Sequence, residues 1–436
     1  MKLKISLLML LLVGLLPVIS QAEEGHSVYY YLMIDRFESG EKNGELVDVD
    51  NPSAFHGGDF QGILNRVDHL NTLGVTDVIL SPIFSTQDYT GLEVESYDQI
   101  QKTFGTKENL KKLIETLNEK GMSVTLHFPI DQDVNDDKLL EHMQTWSEEL
   151  KIEGYYISNP EAKTNDFWKK SGDELEGTLI AESDKNADQY LENGFDLVHD
   201  RSTQDELTTY FKQPGKSIQD LLDASNIRNE QIIQSMDFYD TDRFTHQFAE
   251  TGSHPITYWK LALTYLLTIP NDTLVFQGSE IPLDGVKDDL SHHQLMNFLA
   301  GEDQLIRHME KISNAYDDLP SLSKGKISIL HADDSYLVFK RTFQNDSTIV
   351  AINTSQTQQK VDIELEEGLE LRGLLKDDLA RQNDNGTYTV AVDRESSNIF
   401  NVREDSGLYW PLIFIFAGVM AIFIIFAILM YRKNKA

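Results

Sequence analysis

The chain has no cysteine among its 436 residues, so no disulfide can brace it and no cysteine can carry a lipid anchor. Its stability has to come from packing. Basic residues are also scarce, 38 against 71 acidic ones, and the formal net charge of −33 would repel phosphate backbones, which excludes nucleic acid as a partner. Two runs, Ile5 to Ile19 and Leu408 to Met430, lack charge altogether. The rest shows no low-complexity tract.

Those two runs set the expected organisation. Lys2 and Lys4, the apolar run and Ser20-Gln21-Ala22 have the form of a charged region, a hydrophobic region and a small-residue cleavage site, which predicts a signal peptide over 1–22. Leu408 to Met430 is long enough to cross a hydrocarbon core of about 30 Å at about 1.5 Å per residue. Tyr409 and Trp410 fit an interfacial aromatic belt, and Arg432, Lys433 and Lys435 place the tail 431–436 in the cytoplasm. The expected location is therefore a cell membrane, single-pass, with everything between signal and anchor outside.

With 40% hydrophobic residues, the chain can bury one large barrel with a small companion, or two or three ordinary domains. From about residue 27 to residue 280, short apolar runs alternate with helical patterns, the signature of βα units and a parallel sheet. Strands are expected at Tyr29 to Ile34, Val78 to Leu80, Val124 to Phe128, Tyr155 to Ile157, Leu179 to Ala181, Phe195 to Val198, Ile232 to Met236 and Leu274 to Phe276. Eight such units close most naturally into a (β/α)8 barrel with its site at the strand C-terminal ends, an open doubly wound sheet being the competitor. Helical spacing at Ile63, Val67, Leu70 and Leu73 predicts the first helix, and Leu295 to Ile312 a late one. Beyond it, alternation at Ile327 to Ile329, Tyr336 to Phe339, Thr348 to Ile352 and Val361 to Leu365, with an Asn385-Gly386 turn, predicts a small antiparallel β-sandwich. The expected boundaries are 23–320 for the barrel, 321–402 for the sandwich, 403–407 for a polar stalk and 408–430 for the membrane helix.

Particular stretches then resemble the α-amylase family, glycoside hydrolase family thirteen. Tyr30 to Phe37 is similar to that family's first strand, and His56-Gly57-Gly58-Asp59-Phe60-Gln61-Gly62-Ile63 to its HGGDLQGI. Leu70 to Phe84 and Phe104 to Leu126 resemble its next strands and helix. The resemblance implies α-glucan or oligosaccharide as ligand, and a retaining mechanism in which a nucleophile and a proton donor about 5 Å apart flank the sugar. Thr178-Leu179-Ile180-Ala181-Glu182 resembles the motif ending in the donor. Met236 to Phe244 is similar to LDNHDTPRF, with Asp240 at the stabilising carboxylate.

Where the family reads GFRxD, this chain reads Gly154-Tyr155-Tyr156-Ile157-Ser158, so Ser158 stands at the nucleophile position and Tyr156 at that of the arginine. A serine hydroxyl without a base beside it is a poor nucleophile, which predicts a degenerate, non-hydrolytic member. His127 to Gln132 replaces DVVxNH, Leu92 replaces an aromatic platform, and the insertion after the third strand is nearly absent. The asparagine that commonly ligates calcium in the family is lost with DVVxNH, so no metal or cofactor is expected. Tyr156, Tyr239, His127 and Asp237 are the candidate substrate-binding residues, and Glu182, Asp240 and Ser158 mark the catalytic positions. His292-His293 reads as a solvated or capping pair, Glu161 as lying beyond the strand, and Trp146, Trp168 and Trp259 as core. Two alternatives stay open: an active hydrolase or transferase using Glu182 and Asp240, and a scaffold subunit that holds a protein partner in a membrane complex.

Overall fold

A computed structural model describes residues 25–433 except 41–46, 186, 214–216, 225, 226, 228, 250–252, 300–302, 334, 408 and 409. The expected signal peptide over 1–22 lies outside the described residues.

Eight parallel strands close on themselves: β1 (Val28–Leu32), β2 (Asp77–Leu80), β3 (Ser123–Pro129), β4 (Gly154–Ser158), β5 (Thr178–Ser183), β6 (Leu197–Asp200), β7 (Ile232–Gln234) and β8 (Asp272–Phe276). β1 completes the ring by pairing with both β2 and β8, Tyr30 lying opposite Val78 and Val275. The open sheet is thereby excluded. Alternation along the strands divides the side chains into two cores. Tyr29, Tyr31, Ile79, Tyr156, Ile180, Ile233, Leu274 and Phe276 form one cluster, filling the barrel. Their neighbours Tyr30, Val78, Tyr155, Leu179, Val198, Ile232 and Val275 join the larger cluster under the helices.

The helices follow the local sequence. Lys107–Glu119 starts at a capping box between Thr106 and Asn109 and buries Leu110, Leu113, Ile114 and Leu117, the spacing of one helical face. Asp136–Leu150 is capped by Asn135 and begins seven residues after β3 ends at Pro129, leaving only a short exit from that strand. Trp146, Trp168 and Trp259 are buried and each donates its indole N–H internally, to Tyr97 O, Pro160 O and Thr245 Oγ1.

The motif His56 to Ile63 is explained by what it touches. Asp35, in the helical turn Ile34–Phe37, accepts the backbone N–H groups of His56 at 2.9 Å and Gly57 at 3.1 Å while paired with Arg36. A side chain at residue 58 would place its Cβ 2.0 Å from Ile34 O, so only glycine admits this approach.

Three expectations are corrected. The first strand stops at Leu32 because Asp35 and Arg36 turn the chain to fasten that loop. The single helix expected over 63–73 is two, Phe60–Leu64 and Val67–Thr72, since Arg66 leaves helical geometry and its side chain pairs with Glu38. The late helix is Gln304–Asp318; Met296 lies ahead of it in irregular chain and donates its backbone N–H to Arg36 O at 2.9 Å.

The C-terminal unit pairs a six-stranded antiparallel sheet with a two-stranded one. The first contains β9 (Lys326–Ala332), β10 (Tyr336–Phe343), β11 (Asp346–Asn353), β13 (Leu369–Gly373), β14 (Leu379–Arg381) and β16 (Ser396–Glu404); the second contains β12 (Gln359–Ile363) and β15 (Tyr388–Val392). Tyr336, Val338, Ile349, Ala351, Tyr388 and Val390 fill the space between them. Leu337, Phe339, Val350, Ile352 and Ile399 face the other way, into the barrel's outer core. Gly386, with φ +87°, makes the expected turn.

The expected stalk is not a free segment: Arg403 and Glu404 belong to β16, Asp405 N–H donates to Gly368 O, and Arg381 holds both Asp405 and Gly407 O. The helix Trp410–Lys433 follows, and its stretch Phe414–Tyr431 is long and apolar enough to cross a membrane.

Candidate active site

The C-terminal ends of a parallel barrel's strands point into one mouth. Here Ser158 ends β4, Glu182 lies near the end of β5, Arg201 follows β6, and Tyr239 and Asp240 follow β7. All five line a cavity of about 580 Å³, together with Leu92, Ile130 and Glu161. Glu161 is an exposed member of its wall, in the turn Pro160–Ala162.

Arg201 links the two carboxylates. Its Nη1 donates to Glu182 Oε1 at 2.5 Å, and its Nη2 lies 2.5 Å from Asp240 Oδ1. Tyr239 donates its hydroxyl to the other Glu182 oxygen at 3.1 Å. Burial works against the Arg201 charge, but Glu182 and Asp240 outweigh it and hold its pKa above the ordinary value. Glu182 is pushed upward by burial, and by Asp240's charge, while Arg201 and Tyr239 pull it back. The bond to Glu182 is of the charge-assisted, strong kind, and Asp240 is held to the same guanidinium as an ion pair.

Ser158 does have an imidazole beside it, contrary to the expectation of a hydroxyl with no base: His127 Nε2 lies 2.7 Å from its Oγ, and His127 Nδ1 lies 2.7 Å from Tyr31 OH. The direction of this chain follows from counting hydrogens. Burial lowers the His127 pKa to about 3, so at neutral pH the ring carries one N–H. Tyr31 is buried, and among the described residues its hydroxyl meets His127 Nδ1 as hydrogen-bond partner. A buried hydroxyl hydrogen needs an acceptor. Tyr31 therefore donates to Nδ1, and Nε2–H donates to Ser158 Oγ. The imidazole cannot take the serine's proton in that tautomer.

A second chain of the same kind runs inside the barrel. Tyr156 OH lies 2.7 Å from His199 Nδ1, and His199 Nε2 lies 2.8 Å from Ser235 Oγ, which also accepts from Gln204 at 2.6 Å. Nitrogen-15 NMR is expected to find the His127 ring neutral, protonated on Nε2, down to about pH 4; an Nδ1–H ring would reverse the argument.

Three of the four expected substrate-binding residues do not reach the cavity. Tyr156 and His127 are fully buried in these chains, because a Tyr–His–Ser chain satisfies polar groups inside the barrel. Asp237 is buried too, accepting from Ser279 Oγ at 2.9 Å and Phe244 N at 3.0 Å. Tyr239 alone of the four lines the mouth. His292 and His293 are not solvated: both are buried in a short 3-10 turn, and both ring Nε2 atoms approach Tyr239 O, at 2.9 and 2.5 Å.

Arg201 and His199 escaped the sequence reading. The signal available for Arg201 was its place directly after a strand's C-terminal end, where barrel sites are built.

The pattern of the family described as alpha amylase, catalytic domain, matches residues 31–206, and that of the alpha-amylase C-terminal domain matches residues 325–400. The barrel and the sheets after it thus each match an α-amylase pattern. The α-amylase of Anoxybacillus superposes with a TM-score of 0.82 at 29% identity, over 88% of this chain and 99% of that one. The α-amylase of Geobacillus thermoleovorans, in complex with acarbose, gives 0.80 at 26% identity over 87% and 99%. Alpha-amylase 2 of Dictyoglomus thermophilum is 38% identical over 102 residues, which are 23% of this chain and 18% of that protein. The chain thus spans well under two thirds of that relative's length.

Proposed function

We propose that the chain is a cell-surface α-glucan-handling protein in which hydrolysis of glycosidic bonds is lost. The observation that carries this reading is the end of β4, where Ser158 offers a hydroxyl bonded to His127 and the retaining mechanism requires a carboxylate. A hydroxyl cannot balance the positive charge that develops on the sugar ring. The Arg201 bridge supports the same reading, because Arg201 and Tyr239 occupy both Glu182 oxygens within the protein, even though burial raises the Glu182 pKa. It also counts against an inverting mechanism, which needs both carboxylates available to the reacting groups.

The ligand class rests on the family and on the related α-amylase bound to acarbose. Surface location rests on the leader-like segment 1–22 and on the apolar helix Trp410–Lys433, which would tether the protein with its barrel outside. Titration calorimetry of the full chain with acarbose and maltotriose is expected to show binding, with no reducing sugar released from maltotriose. Robust turnover that disappears in Glu182→Gln would overturn the proposal.

A further inference from the structure

The protein carries almost twice as many acidic as basic residues, yet one cavity departs from that balance. It lies in the seam between the barrel and the C-terminal sheets, with a volume of about 530 Å³. Lys260 reaches it from the helix Pro255–Leu266, Arg307 and Lys311 from Gln304–Asp318, and Lys376 from the loop after β13. Glu395 is the one carboxylate among its lining residues, and it is engaged by Tyr258 OH at 2.7 Å.

The wall beneath these cations is uncharged and mixed, with Leu261 and Leu375 beside Thr257, His308 and Ser397, and the two polar groups His308 and Ser397 are tied to a buried hydroxyl behind it. Thr264 Oγ1 lies 2.9 Å from His308 Nε2 and 2.8 Å from Ser397 Oγ, joining both helices to β16. Burial, and next the charge of Lys260, lower the His308 pKa to about 4, with Lys311 adding to the effect; both ammonium groups therefore act on one uncharged ring. Arg307 and Lys376 have carboxylate partners, Asp303 and Asp393, outside the cavity lining. Lys311 forms no ion pair among the described residues. Glu395 holds a φ of +46°, a strained conformation for a residue with a side chain, so the seam maintains its shape at a cost.

We propose that this seam is a second binding site, for a phosphate ester carried on a sugar. A cationic rim selects the anion by charge and direct hydrogen bonds. The mixed wall, in a space larger than a phosphate ion alone requires, offers Leu261 and Leu375 to the C–H face of a sugar ring and Thr257 and Ser396 to its hydroxyl groups. The site lies outside the barrel mouth and does not depend on what that mouth binds.

Calorimetry with the full chain in detergent micelles tests it, using glucose 1-phosphate, inorganic phosphate and glucose as probes. Glucose 1-phosphate is expected to bind at least tenfold more tightly than inorganic phosphate, glucose not to bind at this site, and added salt to weaken the interaction. Lys311→Gln, an exposed change that leaves the Thr264–His308–Ser397 contacts intact, is expected to weaken glucose 1-phosphate binding about tenfold, and Lys260→Gln with Lys311→Gln further. An unchanged melting temperature for Lys311→Gln without ligand would show that the loss is not a folding defect; if it falls, Lys311→Arg should restore binding. The proposal is overturned if neither phosphate probe binds, if Lys311→Gln binds as the parent does, if Lys311→Arg fails to restore binding lost in a destabilised Lys311→Gln, or if only anionic phosphatidylglycerol vesicles are retained.

Discussion

Ser158→Asp combined with Tyr156→Arg is expected to leave maltotriose intact, at a rate more than about 10⁴-fold below that of an intact triad, the scale on which loss of a nucleophile is felt. Supplying the two missing family residues repairs only the β4 end of the site. Arg201 would still hold Glu182 and Asp240, at 2.5 Å each. The new guanidinium would also replace Tyr156, whose ring lies 5.2 Å from that of His127 and 5.9 Å from that of His199, both imidazoles being neutral. A buried cation there gains one neighbour, the new aspartate, and loses its water. Adding Arg201→Gln to this pair is the change expected to give the first measurable release of glucose or maltose. Hydrolysis by the double variant alone would show that Arg201 is no obstacle.

Arg201→Gln by itself is expected to cost about 3 kcal/mol of folding stability at neutral pH, the lower part of the range for breaking a buried ion pair, because Asp240 keeps access to water. The dependence on pH has a definite sign. Burial already raises the Glu182 pKa in the folded chain, and removing the guanidinium raises it further. A carboxyl whose folded pKa exceeds its unfolded one contributes stability that is fully present below the unfolded value and is lost as pH rises through the folded value. The deficit of the variant relative to the parent should therefore shrink in mild acid and reach its full size near neutrality. Urea unfolding at two pH values measures this, and a deficit that grows in acid would contradict the assignment of Glu182 and Asp240 as Arg201's partners.

The barrel was readable because parallel strands covered on both faces are continuous apolar runs, as in Val78-Ile79-Leu80 and Tyr155-Tyr156-Ile157. Its closure was not contained in periodicity, since eight βα units read alike whether or not Tyr30 meets Val275. Glu182 and Asp240 were legible through the stretches around them. Arg201 sits in no such stretch, and its meaning appears only when β5, β6 and β7 bring their ends together. The paired histidines were misread for a local reason. Adjacent residues diverge on an α-helix, but in the 3-10 turn Ser291–His293 the two rings stack with centroids 3.7 Å apart and converge on one carbonyl. Tyr156 and His127 read as substrate-facing because only position along the strand was visible. Which side of the barrel wall a residue faces, and what satisfies it there, depends on partners more than thirty residues away.

The pinned connector after β16 bears on how far the barrel could travel on a bilayer. Arg381 fixes the chain as far as Gly407, and only Leu408 and Tyr409 separate that point from Trp410, a reach of about 11 Å at full extension. Under the membrane reading the anchor acts as a short tether. The barrel would stay within about a nanometre's reach of the helix end, so the protein would wait for glycan to arrive instead of sweeping the surroundings for it.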